Sequence, residues 1–177
     1  MSVLGPIGQL GYAVRDLDAW VDHYLSAGVG PWFIVRDFIP ASYEHRGQTV
    51  RPRFNFAISW SGNVQIELIQ PIDDTPNAQS DYLQTGQEGL QHVCYFPRDY
   101  AAAKANLEAR GYTQYVQGGN SGFQFNYFER PGPVGETIEL GLISDETRLI
   151  FEKLIVVCAE WDGSDPYRGA FRDSVRL

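Results

Sequence analysis

One pattern occurs twice in this chain, and an internal repeat restricts the possible folds more than any single motif does. Ile7-Gly8-Gln9-Leu10-Gly11-Tyr12-Ala13-Val14-Arg15-Asp16-Leu17 aligns without gaps on Leu90-Gln91-His92-Val93-Cys94-Tyr95-Phe96-Pro97-Arg98-Asp99-Tyr100, so that tyrosine, arginine and aspartate recur in register. Each copy is a short apolar run meeting an Arg-Asp pair, and an aspartate at that position can accept from the first orphan N–H groups of a following helix. The first helix carries Leu17, Trp20, Val21, Tyr24 and Leu25 at three- and four-residue steps and stops at Gly28 and Gly30-Pro31. The second runs through a series of alanines and Leu107 to Gly111. Both read as helices with one buried stripe and a glycine stop.

Three strand candidates follow each helix: 32–38, 53–60 and 63–70 in the first copy, 113–116, 124–129 and 136–143 in the second. Ser61-Gly62 and Pro131-Gly132 are turn signals between the last two strands of each set. The final strands share a tripeptide, Ile66-Glu67-Leu68 and Ile138-Glu139-Leu140, which is a second and independent register mark. The fold class is therefore α+β, with two βαβββ modules in one structural domain. The first module spans residues 1–71 and the second 89–143, joined by a polar, turn-prone surface linker at 72–88. Residues 144–177 form a helix carrying Leu149, Ile150, Leu154, Ile155 and Cys158, expected on the sheet or on a second subunit, and then an irregular Gly- and Pro-bearing tail.

With 14 basic against 22 acidic residues, a net charge of -8 and no basic run longer than a pair, attraction to nucleic acid or anionic lipid is not expected. The N-terminal dozen residues lack a basic leader and an unbroken apolar run, and Glu152 and Lys153 interrupt the apolar stretch near the end. A signal peptide or membrane span is not expected either, and the reading is a cytoplasmic protein. Two cysteines, Cys94 and Cys158, without CxxC spacing argue against a disulfide framework or thiolate zinc site and are read as small buried hydrophobes. Trp32, Phe54, Phe56, Trp60, Phe123, Phe125 and Tyr127 lie on strands or their flanks, where some would serve the core and others line a pocket for a bulky apolar or aromatic small molecule.

The order of Gly11-Tyr12-Ala13-Val14-Arg15-Asp16-Leu17, Gly28-Val29-Gly30-Pro31-Trp32, Ile66-Glu67-Leu68-Ile69-Gln70-Pro71, Gly89-Leu90-Gln91-His92-Val93 and Gly135-Glu136-Thr137-Ile138-Glu139-Leu140 resembles the vicinal-oxygen-chelate superfamily of glyoxalases, epimerases, extradiol dioxygenases and bleomycin-resistance proteins. The Gly-Pro-Trp segment and the Trp161–Pro166 stretch are similar to a glyoxalase-like branch near the methylmalonyl-CoA epimerases. The resemblance spans residues 7 to 143 and implies a glyoxalase-like sheet around one shared cavity. It also implies metal ligands from the first and last strand of each module, here Gln9, Glu67, His92 and Glu139. Strand parity agrees, because Glu67 and Glu139 each stand between apolar neighbours that face the other side of a sheet. His23 is expected on a helix surface, His45 in a loop, and Tyr12 and Tyr95 away from the ligands in structural roles.

By that resemblance the activity is a metal-assisted isomerase, epimerase or lyase reaction on a carbonyl compound through an enolate-type intermediate. A divalent ion is the cofactor, and Glu139, then Glu67, is the base. Gln9 stands where many relatives have histidine, which removes the two-histidine, one-glutamate pattern of the dioxygenases. The third strand of the first module, Arg53-Phe54-Asn55-Phe56-Ala57, lacks the glutamate that the epimerases carry there. The alternative is a metal-free binding or sequestering protein of the bleomycin-resistance kind. A homodimer is the assembly the resemblance implies.

Overall fold

The computed structural model describes residues 2–132 and 137–169. The first module opens with β1 (Ile7–Ala13), followed by α1 (Leu17–Ser26) and β2 (Trp32–Phe38). A small hairpin, β3 (Ser42–His45) and β4 (Gln48–Thr49), comes next, and β5 (Phe54–Ser61) and β6 (Val64–Pro71) complete the module. After α2 (Ala78–Gln84) the second module runs β7 (Gly89–Tyr95), α3 (Tyr100–Glu108), β8 (Thr113–Gly119), β9 (Phe123–Glu129) and β10 (Thr137–Ile143). The chain then forms α4 (Asp145–Ala159) and a two-residue strand, β11 (Tyr167–Arg168). The two aspartates of the repeat cap their helices in the same way: Asp16 accepts from the Ala19 N–H and Asp99 from the Ala102 N–H.

All strands join one sheet in the order β11-β2-β5-β6-β1-β7-β10-β9-β8-β3-β4. The modules meet where β1 runs antiparallel to β7, with Leu10 opposite Val93, so a local twofold passes through that pair. The cross-strand register obeys it. One row of facing residues reads Gln65, Gln9, Cys94, Glu139 across β6, β1, β7 and β10. Its mate reads Thr137, His92, Gly11, Glu67 across the same strands in the opposite direction. Each module also has one extra residue in its first strand, Gly8 in β1 and Gln91 in β7, at equivalent places in the repeat.

The helices cover the outer face. Leu17 and Val21 of α1 pack with Trp32, Ala57, Ile66 and Leu68, and Ala103 and Leu107 of α3 pack with Phe128, Ile138 and Leu140. Residues that alternate with these, Gln65, Glu67 and Glu139 among them, face inward. On the inner face α4 lies against β5, placing Ile150 and Leu154 on Phe33, Ile58 and Trp60. At the other end β3 leaves its own module and pairs with β8 of the second, so Tyr43 joins Phe54, Val116 and Tyr127 in one cluster.

Several sequence expectations need correction here. Residues 72–88, read as a surface linker, contain α2, whose leading residues Asn77, Ala78 and Gln79 are buried. Asn77 caps α2 through the Ser80 N–H, and its burial comes from the Tyr43 cluster, which no local pattern announces. His45 lies not in a loop but on β3, where it is buried and 3.0 Å from Asp81 of α2. The tail is irregular except for β11, which pairs with the edge of β2. Trp32 and Trp60 belong to the packing under α1 and α4. Of the Gly135–Leu140 motif, Gly135 and Glu136 lie outside the described residues.

Candidate metal and acid-base centre

Gln9, Glu67, His92 and Glu139 come together on the inner face, on the four central strands. Gln9, His92 and Glu139 are each about 1% exposed, and the Glu67 side chain keeps 19% of its surface. His92 Nε2 stands 2.9 Å from Glu139 Oε2, 3.4 Å from Gln9 Oε1 and 3.9 Å from Glu67 Oε2. The sheet twofold makes this possible, since it sets the first strands of the two modules side by side between β6 and β10, which carry the glutamates.

His92 is held from behind. Its Nδ1 lies 2.7 Å from Gln91 Oε1, its ring stacks 4.8 Å from that of Tyr127, and it fills the space above Gly11. The amide nitrogen of Gln91 reaches Tyr115 Oη and Thr137 Oγ1, each at 3.4 Å, which fixes the amide oxygen toward the imidazole. An amide oxygen only accepts, so Nδ1–H donates to it and Nε2 presents a lone pair. That lone pair then faces two carboxylate oxygens and the Gln9 amide oxygen. The 2.9 Å approach of that nitrogen to Glu139 Oε2 calls for a cation between them, either a proton or a metal ion.

A divalent ion is compatible with these distances. Oxygen donors about 2.1 Å from a small octahedral ion stand about 3.0 Å apart when adjacent and about 4.2 Å when opposed, and the three separations from Nε2 lie in that range. The donor set, one imidazole nitrogen and three oxygens, suits a hard or borderline divalent ion. Glu139 Oε1 is buried and has no hydrogen-bond partner, which leaves it free as a ligand or base. Among the described residues no group of three or more His, Cys, Asp and Glu is arranged to hold a metal ion.

Charge in the centre is strained toward neutrality. Burial, and then the nearby Glu139 carboxylate, pushes the Glu67 carboxyl up to about 8. Burial and the same two glutamates hold the Tyr127 hydroxyl and the Cys94 thiol well above their ordinary values. Cys94 and Cys158 are both free, Cys94 buried and Cys158 partly so.

A cavity of about 580 Å³ opens from the centre. Gln9, Glu67 and Glu139 form its polar end, and Phe54, Phe56, Phe123, Phe125 and Tyr127 its apolar walls. Thr147 and Phe151 of α4 and the turn at Asn120–Gly122 also line it, and the N–H of Ser144, the α4 cap, donates to Gly122 O at 3.0 Å. Sequence reasoning missed Gln65 and Gln91. Gln65 shares the parity of Glu67 on β6 and was legible from that alone. Gln91 was not, because alternation places it opposite His92 and only the bulge turns both to one face.

No helix among the described residues is long and apolar enough to cross a membrane. None of the curated proteins matches this chain in sequence. Among solved structures, methylmalonyl-CoA epimerase from Mycobacterium tuberculosis is similar over 84% of this chain and 95% of its own, with a TM-score of 0.58 at 18% identity. A hypothetical protein from Bacillus halodurans is similar over 79% and 95%, with a TM-score of 0.54 at 16% identity. A selenomethionine methylmalonyl-CoA epimerase gives 78% and 95%, 0.52 and 20%. At these identities the likeness is one of fold. The family model of the glyoxalase/bleomycin resistance protein/dioxygenase superfamily matches residues 8–128, more than half of the chain, with Glu139 and α4 beyond the matched range. With the repeat, the facing modules and the enclosed cavity, that match shows that the chain belongs to the glyoxalase/bleomycin resistance protein/dioxygenase superfamily.

Proposed function

We propose that this chain is a metal-assisted isomerase, epimerase or lyase that moves a proton next to the carbonyl of a bulky apolar or aromatic small molecule. The convergence of three acceptor oxygens on His92 Nε2 carries the reading, because such a cluster calls for a cation. Gln9, Glu67, His92 and Glu139 would hold a divalent ion. When bound, the ion polarises a substrate carbonyl and lowers the acidity barrier at the adjacent carbon.

Glu139 is the base: it lines the cavity, its Oε2 lies 2.9 Å from His92 Nε2, and its Oε1, without a hydrogen-bond partner, can take the α-proton. Glu67, on the other side of the centre and lining the same cavity, is the second candidate base. Gln91 keeps His92 in one tautomer, and the aromatic walls exclude water from the carbanionic carbon. The working assembly in this proposal is a cytoplasmic homodimer, to be checked by light scattering; Leu149 and Val156 on the exposed side of α4 are apolar enough to take part.

A second reading, a metal-free binding protein, draws on the direct His92–Glu139 hydrogen bond, which satisfies both groups with one proton. Elemental analysis after purification in metal-supplemented buffer separates the two. Close to one divalent ion per chain is expected, and a stoichiometry near zero rejects the metalloenzyme. Glu139→Gln should lower deuterium incorporation into an enolisable ketone by at least about a hundredfold. Unchanged exchange would remove Glu139 as the base.

A further inference from the structure

Gln65 is a buried polar residue of the cavity wall that this mechanism does not use. It lines the cavity, is 2% exposed, and its amide oxygen accepts from Gln9 Nε2 at 2.5 Å. In that orientation Gln65 Nε2 is buried without a partner. A buried amide donor without an acceptor is costly, and one that faces a cavity is satisfied when a ligand brings an oxygen to it. Glu139, whose Oε1 is likewise buried and unpartnered, lines the same cavity.

The rest of the cavity restricts what can carry that oxygen. Its described lining includes two glutamates and no lysine, arginine or histidine, so no cationic side chain of the wall pairs with an anion away from the centre. The five aromatic rings offer flat apolar surface to a ring. The volume lies in the ordinary range of small-molecule sites, about 300–1,000 Å³.

We infer that Gln65 binds an acceptor oxygen of an uncharged, ring-bearing carbonyl compound, and that the cavity turns away anionic acyl thioesters. The inference rests on reading this cavity as a substrate site. Gln65 contacts substrate and selects it, and an amide donor there rejects molecules that lack the oxygen.

Calorimetric titration of the intact protein tests this with three probes: 2-tetralone, a neutral bicyclic ketone; tetralin, the same skeleton without oxygen; and propionyl-CoA, an anionic thioester. The ketone should bind, and Gln65→Leu should raise its Kd about tenfold while leaving that of tetralin unchanged or lower. Gln65→Glu keeps the acceptor for Gln9 and removes the donor, so it should show the same loss and serves if the leucine variant does not fold. Equal ketone affinity in the wild type and both variants would overturn the role of Gln65. Tighter binding of propionyl-CoA than of 2-tetralone, or no binding of either neutral probe, would overturn the substrate class. Ketone binding that depends on Gln65 without proton exchange would keep this inference and reject the enolisation chemistry.

Discussion

The ring of His92 occupies the space over β1 that a side chain at Gly11 would fill. A Cβ there would lie 1.9 Å from the imidazole. The ring cannot give way cheaply, because Gln91 holds Nδ1 and Tyr127 lies against its face. Gly11→Ala is therefore expected to destabilise the fold by about 1–3 kcal/mol in urea denaturation and to cut metal stoichiometry well below that of the wild type. Wild-type stability in the variant would show that the ring has more room than these contacts indicate. The twofold counterpart of Gly11 is Cys94, opposite Gln9, and a flexible amide there does not demand a glycine. One imidazole against one amide thus accounts for a glycine in one module and a cysteine in the other.

At the scale of elements, α4 differs from the helices of the repeat, since it covers the inner face and lines the cavity with Thr147 and Phe151. Its anchor is Leu154, fully buried on Phe33, Ile58 and Trp60. Leu154→Ala should cost about 2–5 kcal/mol in denaturant unfolding. Leu149→Ala, on the exposed side, should stay within about 0.5 kcal/mol. Equal losses would mean that the outer face of α4 is covered in solution. The helices and strands of both modules were readable from periodicity and caps because their order is local. The β3–β4 hairpin was not, since Ser42–His45 becomes a strand only by pairing with β8, more than seventy positions along the chain. The register bulge at Gln91 likewise follows from pairing with β1, not from its own sequence.

The molecule as a whole concentrates acid at its centre, and its pH response should reveal whether a metal is there. In metal-free protein the Glu67 carboxyl is raised from about 4.5 to about 8, so the folded state holds this proton more tightly than the unfolded chain. Stability from this group is full below about 4.5 and declines as pH rises to about 8, with a slope of at most about 1.4 kcal/mol per unit. Thermal melts of Glu67→Gln should lack that decline. Saturating divalent ion should reverse the trend, because ligands bind deprotonated and stabilisation by binding then grows with pH. Identical profiles for wild type and variant, with and without metal, would place neither proton nor ion at Glu67. By itself the sequence determined the duplicated module, the helix caps and which strand positions face inward, because repetition, capping and alternation are written in neighbouring residues. Only the tertiary structure decided that the two modules meet along β1 and β7, that Gln91 turns beside His92, and that Gln65 is left with an open donor at the cavity wall. Those outcomes depend on pairing between residues far apart in the chain, where register and burial, not local propensity, set the geometry.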